Sequence, residues 1–435
     1  MARLSYLLPL TLILAALNNI VAEDNRMIAF LGNWQACPTA AQLSEYTHVI
    51  ISFAVSYTWS PSKNICSQTC EIATPPICNN APNPGLINDL HAAGKKVLLS
   101  FGGAGMGGSW AGDVNDCWEY CFGRETQVVD RLTQIVKDLK MDGVDIDYEY
   151  FYADNQNGSG FNKGTQAINF LSKITTGLKS KLPAGSVVSH APMDADLVKG
   201  SKYLTMLASV KSSVDYILPQ YYNGITRPAV DGFFKANGGR VVTADHYKYL
   251  VDYLFGGDAT RVVMGFCISD CAGTGSNALA AQAKSVMNEI NTAYSCHGGA
   301  FFWVAAHDVN GKWSSVVNEA LESKRGCSHG SPPTNPDNPT PPPPEDCCPS
   351  GFTGFYPTKN CGSYFYCQNG VKNNNQSSCS SGLLFDVNKQ VCNWSNLVTC
   401  APVTCGASEN TSTAPRIVCN VLKRMFPTRQ FRRCP

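Results

Sequence analysis

The sequence has little excess charge of either sign and almost no long apolar runs. Its 34 Lys and Arg residues nearly balance 33 Asp and Glu residues, which leaves a net charge of +1. A chain of this kind has no overall field that attracts a polyanion, so nucleic-acid binding is not expected. Beyond residue 22 no unbroken apolar stretch reaches membrane length, so no membrane span is expected there. The absence of CxxC pairs argues against a zinc site built from the cysteines.

What the sequence does contain is apolar material and cysteine. The chain has 435 residues, of which 44% are hydrophobic, enough for one large domain and a smaller one. It also has 20 cysteines, an even number that is typical of a protein from an oxidising compartment, where thiols can pair.

The first 22 residues have the pattern of a signal peptide. Arg3 precedes an apolar core at residues 7–17, and Ile20 and Ala22 predict cleavage before Glu23. An uncleaved anchor is the alternative. We therefore expect a secreted, extracellular glycoprotein. The chain carries four glycosylation sequons, at Asn157, Asn375, Asn393 and Asn410.

A proline-rich segment at residues 328–346 divides the chain. Proline blocks helices and sheets, and the segment has nothing apolar to bury, so we expect an extended linker. It separates a large domain at 23–327 from a small domain at 347–402. A basic, cysteine-containing tail follows at 403–435. We expect that tail to be a solvated extension, with contact to an anionic surface as the alternative.

Residues 23–327 alternate apolar runs of strand length with amphipathic stretches. Helical spacing is clearest at 125–140 and 165–182. Eight buried strands alternating with helices predict an α/β fold, a closed (β/α)8 barrel, with a doubly wound open sheet as the alternative. The predicted strands are 27–32, 48–55, 96–101, 144–150, 186–192, 214–222, 261–268 and 300–306.

One predicted strand carries three acidic residues. Side chains alternate along a strand, so Asp145, Asp147 and Glu149 share one face. Repulsion and burial disfavour three neighbouring negative charges, so at least one carboxyl group should stay protonated and could act as a general acid. A metal-binding or purely structural acidic strand remains open at this point.

The stretch DGVDIDYE at residues 142–149 resembles the DxxDxDxE signature of glycoside hydrolase family 18, to which many chitinases belong. Further resemblances follow in the family's order. They are Ser100-Phe101-Gly102-Gly103 on the third strand, Gln220-Tyr221-Tyr222-Asn223 on the sixth and Trp303 on the eighth.

The resemblance implies a (β/α)8 barrel that cuts β-1,4 links between N-acetylglucosamine units. Glu149 would protonate the glycosidic oxygen, and Asp147 would orient the substrate's acetamido group. Asp145 would share a proton with Asp147, and Tyr222 would hydrogen-bond the acetamido carbonyl. That carbonyl oxygen would be the nucleophile, which makes the family an exception to the two-carboxylate scheme and gives retention. Trp303 would form the floor of the cleavage subsite.

Other candidate substrate-binding residues are less specific. The two glycines of the third-strand motif would leave room for a sugar ring, or would only allow tight packing. Aromatic and polar side chains at strand ends could contact sugar, or could belong to the core. These candidates are Gly102, Gly103, Phe53, Gln220, Asn223 and Met193. His190 is expected to be a core histidine.

Two features set this chain apart within the family it resembles. The sixth strand reads Gln-x-Tyr-Asn, which is similar to the plant class III branch. Only about thirty residues separate the seventh and eighth strands. This spacing leaves no room for an additional domain, so we expect an open cleft and cleavage within chains.

The second domain is short and rich in cysteine, so disulfides must supply much of its stability. Its spacing resembles the peritrophin-A type chitin-binding domain. That resemblance implies the pairs Cys348–Cys367, Cys361–Cys400 and Cys379–Cys392, whereas spacing alone allows fifteen connectivities. Some of its aromatic residues must fill the core, and others could stack on sugar. The candidates for the sugar-binding face are Trp394, Tyr364 and Phe365.

Together these features predict a secreted, monomeric chitinase that hydrolyses chitin and chitooligosaccharides, with no cofactor or metal. A chitin-binding lectin on an inactive barrel is one alternative, and an enzyme that trims N-glycans is another. The presence of Glu149, Asp147 and Tyr222 argues against the lectin, and the chitin-binding domain argues against the N-glycan enzyme.

Overall fold

A computed structural model describes residues 25–108, 115–237 and 240–322, and in the C-terminal region 348–349, 351–358, 361–368, 371–379, 383–387, 389–394, 398 and 400. The chain divides into two compact units, residues 1–329 and 330–435. We describe each unit by itself. The predicted signal peptide, linker and tail lie outside the described residues.

The first unit is built on eight parallel strands, of which the first six pair in chain order and the seventh pairs with the eighth. The first strand also pairs with the eighth. The ring closes between the sixth and seventh strands through one parallel bridge, Ile217 to Val262. This cyclic order confirms the barrel and excludes the open sheet. The strands are β1 (Arg26–Gly32), β2 (His48–Ala54), β3 (Lys96–Gly102), β4 (Gly143–Asp147), β5 (Val187–His190), β6 (Tyr216–Ile217), β7 (Met264–Cys267) and β8 (Gly299–Trp303).

The strands read as continuous apolar runs because both of their faces are buried. On β1, Ile28 and Phe30 belong to the core inside the barrel. Ala29 and Leu31 belong to the layer between the strands and the helices. The alternation of side chains therefore supplies two separate cores from one segment.

Helices cover the outside of the barrel. The segments predicted at 125–140 and 165–182 form α2 and α3, and α2 buries an apolar stripe that includes Val128, Leu132 and Ile135. Asn83 caps α1 by accepting a hydrogen bond from the Leu86 amide at 3.2 Å. The helices are α1 (Pro84–Ala92), α2 (Glu125–Leu139), α3 (Gly164–Lys181), α4 (Lys202–Ser209), α5 (Pro228–Asp231), α6 (Thr243–Phe255), α7 (Ala280–Ala293) and α8 (Lys312–Glu322).

Several strands are shorter than the sequence predicts, and two of these differences bear on the site. The predicted strand 144–150 ends at Asp147, and the predicted strand 214–222 is reduced to β6 (Tyr216–Ile217). Pro219 explains the second difference, because proline has no amide hydrogen to donate to a strand ladder. The residues after both strands are thus released from the sheet at the end of the barrel where the acidic residues lie.

Between β2 and α1 the chain makes a long excursion that contains a small hairpin, in which Tyr57–Thr58 pairs with Ile65–Cys66. Three disulfides hold this region and the loop after β3. They are Cys37–Cys78, Cys66–Cys117 and Cys70–Cys121.

The second unit contains a three-stranded antiparallel sheet of β9 (Gly354–Pro357), β10 (Ser363–Gln368) and β11 (Val371–Ser378). A hairpin of β12 (Leu383–Asp386) and β13 (Val391–Trp394) follows. Its main buried cluster comprises Tyr356, Phe365 and Cys367 among the residues described. The disulfides are Cys348–Cys367, Cys361–Cys400 and Cys379–Cys392, the pairs that the resemblance implies.

Within the described part of the chain, no helix combines the length and apolar character needed to cross a bilayer.

Candidate active site

The three acidic residues lie where β4 ends and the chain turns out of the sheet. Asp145 and Asp147 belong to β4, and Glu149 follows two residues later. The alternate residues Val144, Ile146 and Tyr148 are buried in the outer hydrophobic layer. The acidic side chains therefore share the inner face of the barrel, which a period of two residues predicts.

Asp145 is completely buried and is held by its two neighbouring strands. Ser100 on β3 donates to one carboxyl oxygen at 2.8 Å, and Ser189 on β5 donates to the other at 2.7 Å. Burial raises the pKa of Asp145 to about 6, although the two hydroxyl donors lower it. Both carboxyl oxygens are thus engaged below the reaction centre.

The carboxyl groups of Asp147 and Glu149 lie close enough for their charges to interact. Burial, and then the negative charge of Glu149, raise the pKa of Asp147 well above its usual range. The negative charge of Asp145 raises this pKa further, so the three neighbouring carboxyl groups favour a state in which at least one of them carries a proton. The resemblance implies that Asp147 shares a proton with Asp145, and this stays a prediction. The oxygens of Asp145 also accept hydrogen bonds from Ser100 and Ser189.

Gln220 bridges the acidic pair from the segment after β6. Its side-chain amide nitrogen lies 3.1 Å from Asp147 Oδ1 and 3.3 Å from Glu149 Oε1, and it also donates to the Ala191 carbonyl oxygen at 3.0 Å. An amide donor stabilises the charged form of a carboxyl group without carrying a charge itself. Gln220 is buried, so its role is to position the carboxyl groups.

Tyr222 follows on the same segment and faces the acidic group. Burial, followed by the charges of Asp147 and Glu149, raises the pKa of Tyr222 well above its ordinary value. The hydroxyl group therefore stays protonated and is able to donate a hydrogen bond.

Aromatic rings line the opposite side of the site. The Trp303 ring lies 5.9 Å from the Phe53 ring at an angle of 20° and 6.1 Å from the Trp34 ring. Asp270, on the loop after β7, accepts a hydrogen bond from Trp303 Nε1 at 2.9 Å and so fixes the plane of the indole. His307 Nε2 lies 3.4 Å from the other Asp270 oxygen.

These residues enclose a cavity of about 290 Å³ at the carboxyl ends of the strands, where active sites of such barrels lie. One wall carries the acidic pair with Gln220 and Tyr222, and the other walls are aromatic. The lining residues are Phe30, Trp34, Phe53, Tyr57, Ala104, Gly105, Asp147, Glu149, Ala191, Gln220, Tyr222, Asn223, Asp270, Cys271 and Trp303.

Asn223 lines this cavity in a left-handed backbone conformation, with φ of 60°. Its side-chain oxygen accepts a hydrogen bond from Thr274 at 2.6 Å, and its backbone amide donates to Ser276 at 3.2 Å. The loop after β7 therefore fixes the orientation of Asn223.

Three predicted substrate residues do not line the cavity. A Cβ atom at Gly102 would collide with the Asp147 carbonyl oxygen and the Trp118 ring, and one at Gly103 would lie 2.7 Å from the Phe53 ring. Both glycines have positive φ, 120° and 75°. They are needed for close packing and backbone conformation, which corrects the expectation that they make room for a sugar. Met193 lies beside Gln220 through a parallel bridge and does not reach the cavity wall.

His190 is a core residue, as expected. It is fully buried, and its ring nitrogens lie 2.9 Å from the Thr175 hydroxyl and 3.0 Å from the Tyr203 hydroxyl. Burial lowers the pKa of His190 to about 3, so the ring stays neutral.

Sequence reasoning missed several contributors to the site. Ser100 and Ser189 stand opposite Asp145 in the strand register, a signal that becomes visible only once the strand order is known. Trp34 and Asp270 lie on loops, where neither period of alternation applies. No group of three or more His, Cys, Asp or Glu side chains among the described residues is arranged to hold a metal ion.

In the C-terminal unit, the predicted sugar-binding residues separate. Phe365 is 1% exposed and belongs to the core, which corrects its assignment to the sugar-binding face. Tyr364 is half-buried and stacks on Phe385 at 4.3 Å. The side chain of Trp394 lies outside the described residues.

The surface of this unit carries an aromatic group of which the sequence predicted only Tyr364. Phe355 is 42% exposed, and its ring contacts those of Tyr364 and Tyr366 at 5.5 Å and 5.3 Å. Strand alternation explains the arrangement, because Tyr364 and Tyr366 flank the buried Phe365.

Comparisons with known proteins agree with this architecture. Residues 26–289 match the family described as Glycosyl hydrolases family 18, and residues 348–400 match the Chitin binding Peritrophin-A domain. The chain is 29% identical over 193 residues to "Chitinase 1" of Tulipa saxatilis subsp. bakeri, a match that covers 43% of this chain. It spans about half of that relative, 55% of its length.

Among solved structures, the chain resembles a GH18 chitinase from Pseudoalteromonas aurantia with a TM-score of 0.52 and 21% identity, covering 68% of this chain and 100% of that one. It also resembles the C-terminal domain of Legionella pneumophila ChiA, with a TM-score of 0.48, 19% identity, and coverage of 69% and 98%. The first of these likenesses supports the barrel fold. Because the family match extends over more than half of the chain, the protein belongs to glycosyl hydrolase family 18.

Proposed function

We propose that this protein hydrolyses the β-1,4 links between N-acetylglucosamine units of chitin and retains the anomeric configuration. The observation that carries the proposal is that Asp147 and Glu149, bridged by the Gln220 amide, lie together in the wall of a cavity with aromatic faces. Burial and mutual repulsion favour a single proton on this pair, and when that proton lies on Glu149 the group can serve as a general acid while Asp147 stays an acceptor. Flat apolar rings suit the faces of pyranose sugars. The match of residues 348–400 to a chitin-binding domain supports chitin as the substrate.

In the first step, Glu149 gives its proton to the glycosidic oxygen as the bond from that oxygen to the anomeric carbon breaks. The carbonyl oxygen of the sugar's own acetamido group bonds to the anomeric carbon from the other side. This nucleophile belongs to the substrate, so little association entropy remains to be lost. Asp147 accepts the acetamido N–H and stabilises the positive charge that develops, and Tyr222 donates to the acetamido oxygen.

In the second step, water attacks the anomeric carbon and gives its proton to the Glu149 carboxylate. The bond to the acetamido oxygen breaks, and the product has the original configuration. Asp145 contributes by charge and position, because its own oxygens are held by Ser100 and Ser189.

We further propose that the enzyme acts within chains. The connection between β7 and β8 contains α7 and a single turn of 3-10 helix, with no inserted domain that would deepen the cleft. A product ladder from a long oligomer, analysed at early times, tests this: intermediate lengths should dominate over dimers.

Secretion is part of the same proposal. The seven disulfides among the described residues require an oxidising compartment, and residues 1–22 have the pattern of a signal peptide. Mass spectrometry of the mature protein from the culture medium should give an N-terminus at Glu23.

The deciding experiment compares the full chain with its Glu149→Gln variant on a fluorogenic chitooligosaccharide. General acid catalysis contributes roughly 10²- to 10⁴-fold, so the variant should lose at least about a hundredfold in kcat while it still adsorbs to chitin beads. Equal rates would remove Glu149 from the mechanism. A wild-type protein that adsorbs to chitin but cleaves nothing would be a lectin. Inverted products would contradict the acetamido nucleophile.

A further inference from the structure

A second groove adjoins the catalytic cavity. It has a volume of about 800 Å³, within the range of roughly 300–1,000 Å³ that is usual for ligand sites. It shares four lining residues with the cavity, Trp34, Phe53, Tyr57 and Gly105, so the two form one continuous depression on the β1–β2 side. The other lining residues include Trp59 and three asparagines, Asn33, Asn64 and Asn80.

The chemistry of this groove is that of an uncharged polar ligand. None of its lining residues is acidic or basic, and the asparagine side chains supply amide donors and acceptors between aromatic faces. Trp59 is 71% exposed and Trp34 is 47% exposed. Single exposed aromatic residues are common on protein surfaces, but here two tryptophans border one groove that leads to the acidic pair.

The outer wall of the groove is the hairpin that carries Trp59, and this hairpin is firmly held. Cys66 and Cys70 are joined to Cys117 and Cys121 on the loop after β3. Asn64 donates from its side chain to the Gly105 carbonyl oxygen at 2.8 Å and accepts from the Ser60 amide at 3.1 Å. A wall fixed in this way loses little conformational entropy when a ligand binds.

We infer that this groove binds the continuation of the chitin chain beyond the unit in the catalytic cavity, and that Trp59 stacks on one of its sugars. The inference rests on the proposed function and deepens it, because it makes Trp59 a determinant of substrate length. The continuity with the cavity identifies the occupant, since a chain that crosses the acidic pair on this side must enter the groove.

The test compares the wild-type full chain with Trp59→Ala and Trp59→Phe on soluble N-acetylglucosamine oligomers of three to six units. Loss of one stacking contact should lower kcat/KM for the six-unit oligomer about five- to tenfold, mainly through KM. The three-unit oligomer should be cleaved at the wild-type rate, and Trp59→Phe should recover most of the loss. Tyr253→Ala is the matched control, because Tyr253 is 43% exposed on α6 and lines neither cavity nor groove.

Two outcomes would overturn the inference: no change on any oligomer, or the same loss at every length. If the wild-type protein cleaves no oligomer, the proposed function fails separately. Calorimetric titration with the six-unit oligomer then tests binding in the groove without catalysis. Equal affinities of the wild-type protein and Trp59→Ala would refute binding in the groove, and a five- to tenfold difference in affinity would support it.

Discussion

The barrel and the C-terminal unit use disulfides for different purposes. The barrel has two extensive cores, inside the strand ring and beneath the helices, and its described disulfides join loops at the carboxyl ends of β1, β2, β3 and β7. The C-terminal unit has five buried apolar residues, two of them disulfide cysteines, and three disulfides among its described residues. In the barrel the cross-links shape the walls of a cleft, and in the small unit they replace a core.

The comparison also suggests that cleavage and adsorption belong to different units. We propose that catalysis depends on a few polar groups whose spacing is set by strands, and that adsorption to chitin depends on aromatic residues on a small sheet. Each unit can therefore be damaged without the other, and the following changes test that independence.

The largest expected effect comes from a matched pair of disulfides. Cys37–Cys78 in the barrel closes a sequence separation of 41 residues, and Cys361–Cys400 in the small unit closes one of 39. Loss of either removes about 4 kcal/mol of chain-entropy stabilisation. Replacing Cys361 and Cys400 by serine should abolish adsorption to chitin beads, because the small unit has little core to compensate. Replacing Cys37 and Cys78 should lower the melting temperature of the barrel but leave it folded and active on a short fluorogenic substrate.

Adsorption and turnover of both double variants should be measured beside the wild-type full chain. If the barrel variant unfolds at room temperature while the other variant still adsorbs, the assignment of roles to the two sets of disulfides is reversed.

A somewhat smaller effect concerns pH and belongs to the barrel alone. Burial raises the pKa of Asp145 from 3.8 to about 6, so folding favours its protonated form. The resulting stabilisation is fully present below pH 3.8 and is lost as the pH rises through about 6. A shift of this size corresponds to about 3 kcal/mol. Asp145→Asn should therefore gain about 3 kcal/mol relative to wild type between pH 4 and 7.

Denaturant unfolding, followed by tryptophan fluorescence at several pH values, measures this difference. The comparison at pH 3.5 is the internal control, because there both proteins carry an uncharged side chain at position 145. Curves that run parallel across the whole range would show that Asp145 titrates normally.

The smallest expected effect distinguishes the surface of the small unit from its core. Phe355→Ala should weaken adsorption to chitin about five- to tenfold without unfolding, because it removes one exposed ring of the aromatic group. Phe365→Ala should unfold the unit, since truncation of a buried phenylalanine costs about 3–5 kcal/mol. Both variants should cleave soluble oligomers at the wild-type rate.

Adsorption isotherms measure the binding of the two variants to chitin, and near-ultraviolet circular dichroism shows whether each variant keeps its folded structure. Wild-type adsorption of Phe355→Ala would place the chitin-binding face elsewhere on the unit.

The sequence was most informative where a chemical requirement coincides with strand periodicity. Asp145, Asp147 and Glu149 could be placed on one face from a period of two alone, and the eight apolar runs predicted the strand count of the barrel. The same period of two also separates the buried ring of Phe365 from the outer rings of Tyr364 and Tyr366.

The remaining features depend on contacts between distant segments. The serine donors to Asp145 follow from strand register, and the packing role of Gly102 follows from the position of Trp118. The hairpin with Trp59 has no periodic pattern. Disulfides fix its place beside the cavity, and the spacing of the cysteines along the chain does not reveal which of them pair. Loop geometry of this kind is where single-sequence reasoning stops.

The single bridge that closes the barrel has a consequence for motion. β6 contains only two residues and Pro219 follows soon after, so the junction with β7 has fewer hydrogen bonds than any other neighbouring pair in the ring. Local opening of a folded protein begins where the fewest bonds must break. The junction between β6 and β7 is therefore the part of the ring that opens most easily, and the segment with Gln220 and Tyr222 follows directly after β6. Local opening at this junction would let these two side chains move away from the acidic pair and return, while the rest of the ring stays closed.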